Sequence, residues 1–228
     1  MKDRLSSGDL IFLFREVRKD IILQNEMLTN LDAAVGDGDL GVTTVLGMNA
    51  IEEGVQKLEA KDIGTFLIQS GMNFNRAASS TFGAVMMAAL VGAGKVVLNK
   101  IEIDAKDMIR MLDEAENAIK KIGKAQIGNK TVLDALVPMK EAFEKSISLG
   151  ESLETALKKA CEAAEQGVEN TKKMKSEIGR GKWLGDRSLG HADPGAVALL
   201  MMMRSFLVHL REIENNDEAI VNDLNKLT

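Results

Sequence analysis

Three aspartates, Asp32, Asp37 and Asp39, fall within eight residues, and the last two flank a glycine in Val35-Gly36-Asp37-Gly38-Asp39-Leu40-Gly41. Carboxylates gathered this closely repel one another unless a cation neutralises them, and hard oxygen ligands select Mg²⁺ or Ca²⁺. An EF-hand is excluded on spacing: with Asp37 as loop position one, position twelve is Met48 where a glutamate is required. The competing reading is that these aspartates only form turns and cap helices. Three further segments suit phosphate. Asp193-Pro194-Gly195-Ala196 sets an N-cap aspartate and a first-turn proline ahead of an apolar stripe, and Gly195 leaves that turn open to close approach. Ser79, Ser80 and Thr81 supply hydroxyls at a second helix start, and Gly128-Asn129-Lys130-Thr131 opens a third. Each alone is as well explained by capping; with the carboxylates they form a coherent site for a metal-bound polyphosphate.

One loop adds charge of the opposite sign. Lys175 to Ala192 reads KSEIGRGKWLGDRSLGHA, with four glycines and no apolar period. Such long structureless loops inside compact domains are functional or disordered. Between Lys172 and Arg187 six basic residues face only Glu177 and Asp186, which suggests an anionic ligand; the plainer reading is a solvated loop. Trp183, the only tryptophan, is expected to pack on something. Arg180 carries the strongest functional claim here, because a guanidinium fork matches phosphate oxygens and stays charged at any working pH. His191 reads as a loop-organising hydrogen bonder and His209, near Met203, Phe206 and Leu210, as structural.

The elements that must position these residues are helices. Aromatics make up 4% of the 228 residues, there is no Tyr, and Pro138 and Pro194 are the only prolines. Ala, Leu, Met, Glu and Lys are plentiful, a helical composition with few of the alternating runs that build sandwiches or barrels of strands. Leu10, Leu13, Phe14, Val17 and Ile21 fall at helical intervals after Ser7–Asp9 and predict one long helix toward residue 30. A second stripe, Val45, Leu46, Ile51, Val55 and Leu58, runs to about 59. Further helices are expected at 62–73, 80–97, 104–122, 131–147, 152–174 and 195–212, eight in all. Residues 1–212 read as one domain and 213–228 as a polar tail, with a short helix at 217–226. Cys161 lies among Ala156, Leu157, Ala160 and Ala164 as a small core residue.

Charge and hydropathy narrow the partners. A formal net charge of −5 provides no basic field for nucleic acid. The first residues lack the apolar region of a secretory signal, and the longest apolar run, Ala196 to Met203, is too short for a membrane span. A cytoplasmic protein without nucleic-acid or membrane partners is expected.

Three segments carry a resemblance. LDAAVGDGDLG (31–41), IGNKTVLDALVP (127–138) and GRGKWLGDRSLGHADPGA (179–196) resemble, in order and spacing, the signatures of the dihydroxyacetone kinase L subunit family. The resemblance implies an all-α fold of eight antiparallel helices in an up-and-down barrel, with ADP or ATP and two Mg²⁺ ions held by loops at one end. It implies Asp32, Asp37 and Asp39 as metal ligands. The nucleotide would be lined by Leu40, Gly41, Val42, Thr43, Ser79, Ser80, Gly128, Thr131, Arg180, Asp193, Pro194 and Gly195. It further implies transfer of a phosphoryl group to a small ketose or polyol on a separate K-type subunit, with either free ATP or a phosphotransferase-system phosphocarrier recharging bound ADP, and leaves a homodimer open. The alternative from another class is a regulatory module that uses its nucleotide state without transferring phosphate. Three departures stand out: Leu40 where the family often has His or Cys, Asn129 in place of a common Asp, and Ala77-Ala78-Ser79-Ser80-Thr81 in place of a Gly-rich turn.

Overall fold

A computed structural model describes the backbone of residues 3–57 and 62–225, and their side chains except at 55–57, 180 and 214–225. The described residues form nine α-helices: α1 (Ser7–Leu23), α2 (Asn25–Val35), α3 (Leu40–Lys57), α4 (Ile63–Ala77), α5 (Thr81–Lys95), α6 (Ala105–Gly123), α7 (Leu133–Ser148), α8 (Leu153–Thr171) and α9 (Pro194–Asn225). Val55 and Leu58, expected to end the stripe of α3, lie outside the described side chains. With α1 and α2 taken as one bent rod, eight antiparallel rods each pack on the next, and α9 packs back on α1 to close the ring. The expected all-α up-and-down barrel is what forms. Alternation then fixes the placement of every loop. The connections α2–α3, α4–α5, α6–α7 and α8–α9 all fall at one end, and these carry the segments singled out above.

The opposite end holds a feature the composition did not suggest. β1 (Arg4–Ser6) pairs antiparallel with β2 (Glu102–Asp104), setting Leu5 opposite Ile103. Both side chains are fully buried. The ribbon leads straight into two capping boxes, Ser6 with Asp9 at α1 and Asp104 with Asp107 at α6, so the chain start is sewn to the α5–α6 connection.

Two helix boundaries depart from expectation. The single first helix breaks at Gln24, whose N–H is shared between the Asp20 and Ile21 carbonyls, both at 3.2 Å. Neither Gly nor Pro marks the break; it serves packing, because beyond it Leu28 and Val35 stay in the core while the start of α3 crowds against α2. A side chain at Gly41 would collide with the Thr29 hydroxyl and the Asn25 carbonyl. At the other end of the chain, α9 runs to Asn225 instead of stopping near 212. Residues 213–225 contain no Gly or Pro to stop it.

Close approach between rods rests on small residues. A Cβ at Gly94 of α5 would lie 2.7 Å from the Gly64 carbonyl of α4, and one at Gly64 would lie 2.6 Å from the Gly94 carbonyl. Phe14 and Phe66 meet edge to face at 5.1 Å, and Cys161 is a buried core residue whose thiol burial pushes up to about 11.

The α1–α9 closure carries its own clamp. His209 Nε2 lies 3.1 Å from Asp20 Oδ2 and its Nδ1 lies 2.8 Å from Glu212 Oε2, while the Ser205 hydroxyl donates to the same Asp20 oxygen at 2.6 Å. Both ring nitrogens face carboxylates, so both are donors when the ring is charged. Burial opposes that charge, but the bonds to Glu212 and Asp20 outweigh it and raise the pKa above the ordinary histidine value.

Gly94→Ala is expected to lower stability by about 1–3 kcal/mol, because overpacking against the Gly64 carbonyl exceeds the gain in helix propensity. Gly123→Ala, whose Cβ would meet only the Ala125 Cβ at 3.5 Å, is expected to change it by less than about 0.5 kcal/mol; thermal melts compare the two. The His209 clamp stabilises fully below the unfolded-state pKa and is lost as pH rises through the raised folded-state pKa. His209→Gln should therefore cost up to about 1 kcal/mol at pH 5.5 and close to nothing at pH 8.5, and denaturant titration at the two pH values reads the difference.

Candidate functional site

At the four-loop end, N–H groups that the helix starts leave unsatisfied are served by side-chain oxygens. Asp32, on the last turns of α2, accepts from the N–H groups of Asp39 (3.0 Å) and Leu40 (3.2 Å) through Oδ2, so α2 caps α3 across the turn. The turn itself allows no side chain at Gly36, where one would strike the Asp32 carboxylate, and it needs a left-handed residue at Gly38 (φ 74°). With Asp32 held, oxygens of Asp32, Asp37 and Asp39 lie within 4.8 Å of one another. Burial raises the Asp32 pKa; the Leu40 and Asp39 N–H groups pull it down, and the Asp37 and Asp39 charges push it further up. Two half-buried carboxylates and an exposed one in this arrangement fit a hard divalent cation.

The second and fourth starts follow the expected capping. Ser80 Oγ accepts from Gly83 N at 3.0 Å at the start of α5, and Asp193 Oδ2 accepts from Ala196 N at 2.8 Å at the start of α9, with Pro194 in the first position. Asp193 is half-buried at the cavity, and its own N–H donates to the Thr171 hydroxyl at 2.9 Å. Burial drives its carboxyl up to about 7, aided by the charges of Asp134 and Asp32 and opposed by the Ala196 N–H and Lys130.

The third start differs from expectation. Helix α7 begins at Leu133, two residues after Thr131, whose hydroxyl accepts from Leu133 N at 3.2 Å. The turn before it is organised by Asp134, which accepts from Gly128 N at 2.5 Å and Thr131 N at 2.7 Å. Pro138, one turn into α7, provides no N–H for the Asp134 carbonyl, and α8 covers that carbonyl with Gly167, where a side chain would not fit. Asn129 closes its own turn by accepting from Gln126 N at 2.7 Å, and it donates through Nδ2 to Glu177 Oε2 at 2.5 Å.

The 175–192 segment is not structureless. Residues Arg180–Ser188 form short 3-10 turns kinked at Gly185 (φ 56°). Ser188 is fully buried and organises them: its hydroxyl donates to Gly185 O at 2.7 Å and accepts from Ser176 N at 3.0 Å. Trp183 does not pack; it is 89% exposed. No element among the described residues covers its ring.

All four loops border one cavity of about 420 Å³, a size typical of small-molecule sites. Of the residues expected at the site, Asp32, Asp39, Leu40, Ser80, Thr131, Asp193, Pro194 and Gly195 line it. Asp37 joins the carboxylate group from an exposed position. Gly41 and buried Thr43 pack within the fold, Val42 and Ser79 are exposed, and Gly128 is taken up in the turn with φ 92°; none of these lines the cavity. The Arg180 side chain lies outside the described residues. His191 is exposed. Sequence reasoning missed Lys130, Asp134, Ser176 and Ser188. Thr131-x-x-Asp134 has the spacing of a capping box and could have signalled Asp134; nothing local marks the others.

The protein is a closed helical ring that collects carboxylates and capped helix starts around a cavity at one end. The chain belongs to the DAK2 domain family, whose domain matches residues 34–208. It is 29% identical over 189 residues to the PEP-dependent dihydroxyacetone kinase, ADP-binding subunit DhaL, of Escherichia coli, covering 83% of this chain and 90% of that one. It is 32% identical over 188 residues to the L-erythrulose kinase of Pectobacterium atrosepticum, covering 81% of this chain but 32% of the kinase. The crystal structure of the dihydroxyacetone kinase from C. freundii in complex with AMP-PNP and Mg²⁺ has the same fold over 92% of this chain and 35% of that one, with a TM-score of 0.67 and 22% identity. The chain thus spans nearly all of the separate subunit and about a third of the longer kinases.

The Asn129–Glu177 bond yields a test of how the loops are joined. Asn129→Asp places a second carboxylate against Glu177 and is expected to cost about 0.5–1 kcal/mol. Glu177→Gln in the same chain should restore most of it, and a double-mutant cycle by thermal melts measures the coupling.

Proposed function

We propose that this chain is the nucleotide-binding subunit of a dihydroxyacetone-kinase-like phosphotransferase. The observation that carries the reading is the convergence of the Asp32, Asp37 and Asp39 oxygens with the capped starts of α5 and α9 on one cavity. ADP or ATP would lie with its base against the apolar wall of Val85, Ile119 and Ile122 and its phosphates toward the carboxylates. Asp32, Asp37 and Asp39 would hold two Mg²⁺ ions, which supply charge neutralisation for the phosphates. Gly195 leaves room for a phosphate at α9: a side chain there would meet Asp193 Oδ2 at 3.3 Å and fill the approach toward Phe82. Arg180 is assigned to the developing charge on the transferred group.

The cavity lining includes no His or Cys among the described residues. Phosphoryl transfer asks for positioning more than for a nucleophile, and the acceptor, a small ketose or polyol, would be held on a separate K-type subunit. The relatives that are separate subunits are named as PEP-dependent and ADP-binding, which supports a phosphocarrier that recharges bound ADP. No helix among the described residues is long and apolar enough to cross a membrane, in keeping with a cytoplasmic subunit.

Asp39→Asn is expected to weaken ADP binding in the presence of Mg²⁺ by more than tenfold, about 1.4 kcal/mol, with helix content unchanged. Calorimetric titration with and without Mg²⁺ checks it; unchanged affinity would sink the metal assignment. Sugar phosphorylation is expected only when a K-type subunit is added, and turnover by the isolated chain would refute the subunit reading.

A further inference from the structure

Lys130 is 3% exposed, while Asn129 and Thr131 beside it are half-buried and residues 126–128 are exposed. It adopts a left-handed conformation (φ 60°), which only a tightly specified turn imposes on a residue with a side chain. That turn is the one fixed by Asp134 and Asn129. Lys130 Nζ donates to the Ser188 carbonyl in a short contact and to the Met174 carbonyl at 3.3 Å. These carbonyls stand at the two ends of the segment that spans from α8 to the 3-10 turns. Two further bonds close the same base, Ser176 N to Ser188 Oγ at 3.0 Å and Gly190 N to the Lys172 carbonyl at 2.8 Å. Between these ends, Ser176, Gly179, Gly181 and Ser188 form one wall of the cavity.

Building this tie from an ammonium is costly. Burial opposes the charge, and the one carboxylate that offsets it is Asp193. A methionine would fill the volume at lower cost but would leave the buried Ser188 carbonyl and the part-buried Met174 carbonyl without the donor that Lys130 supplies. An ammonium satisfies both and holds a positive charge at the cavity wall. We infer that Lys130 is a positioning residue: it joins the Met174 and Ser188 carbonyls and so fixes the 176–188 segment as the wall that closes on an anionic, phosphate-bearing ligand. The inference rests on the nucleotide reading above for the ligand, but not for the tie itself. Trp183, carried on this segment and the only tryptophan of the chain, is a built-in reporter.

The test uses the full chain and Lys130→Met. Far-UV circular dichroism should stay near wild type, and the melting temperature should fall by a few degrees because the freed carbonyls lose their donor. Amide exchange over 176–188 is expected to rise at least tenfold, Trp183 fluorescence anisotropy to fall, and ADP affinity in the presence of Mg²⁺ to drop at least tenfold. Unchanged exchange and anisotropy would overturn the tie. Unchanged ADP affinity in a variant whose segment has loosened would overturn its role in closing on the ligand. Should Lys130→Met fail to fold, Lys130→Gln, which keeps a donor for one carbonyl, is read in the same way. Failure of the wild-type chain to bind ADP with Mg²⁺ would overturn the nucleotide reading separately, since the exchange and anisotropy measurements need no ligand.

Discussion

The lining of the cavity holds more carboxylates than cations among its described side chains, and most of what is distinctive in the site follows from that imbalance. Asp32, Asp39 and Asp193 border the cavity, and Lys130 is the one cation among its described lining residues. Two of these carboxylates are there for a local reason, since Asp32 and Asp193 accept N–H bonds at helix starts. Their mutual repulsion is the cost of using charged caps side by side. It is visible in the raised pKa values of Asp32 and Asp193, where burial acts together with neighbouring carboxylates. A metal-bound polyphosphate would suit a site built this way: the metal would balance the carboxylates, while the phosphates would meet the helix starts.

The ring supplies the geometry that makes the imbalance useful. Residues near 32, 80, 131 and 193 meet because an even number of antiparallel rods returns the chain to the same end at every second connection. Rigidity comes from seams that tolerate no extra atoms, such as Gly64 against Gly94 and Gly167 against the Asp134 carbonyl. The second of these bears directly on the site. Pro138 frees the carbonyl that Gly167 covers, and the side chain of the same Asp134 holds the turn that carries Lys130. Helix packing and loop conformation are therefore linked through one residue.

What could be read from the sequence was whatever lies close together along the chain. The Asp32–Asp39 group, the Asp193-Pro194 cap and the Ser80 cap are local patterns, and helical periodicity delivered the rods. The break at Gln24 has no sequence mark because it answers to Gly41 pressing on α2 from another helix. The β1–β2 ribbon is three residues a side, too short for alternation to register. Trp183 was expected to pack because large rings usually do, but no element among the described residues covers it. Lys130 was invisible for the opposite reason: in a polar turn a lysine reads as solvated, and its burial depends on carbonyls 44 and 58 residues away.

The three departures from the family pattern become intelligible at the level of the backbone. Leu40 cannot offer a side-chain hydrogen bond, but its N–H donates to Asp32 and its carbonyl accepts from the Thr44 hydroxyl at 2.7 Å, so its contribution to the turn is independent of the side chain. In the 77–81 segment the Gly-rich turn is gone, yet Ser80 still caps α5, and the position that admits no side chain has become Gly83, pressed on the Ala78 carbonyl. Asn129 is the instructive case. Its neutral amide donates to Glu177, a bond an aspartate could not make and whose partner it would repel. The substitution and Glu177 therefore make sense only together, as a second join between the α6–α7 turn and the segment that Lys130 holds from beneath. The change removes charge where the two loops touch and leaves the Asp32, Asp37 and Asp39 group unaltered.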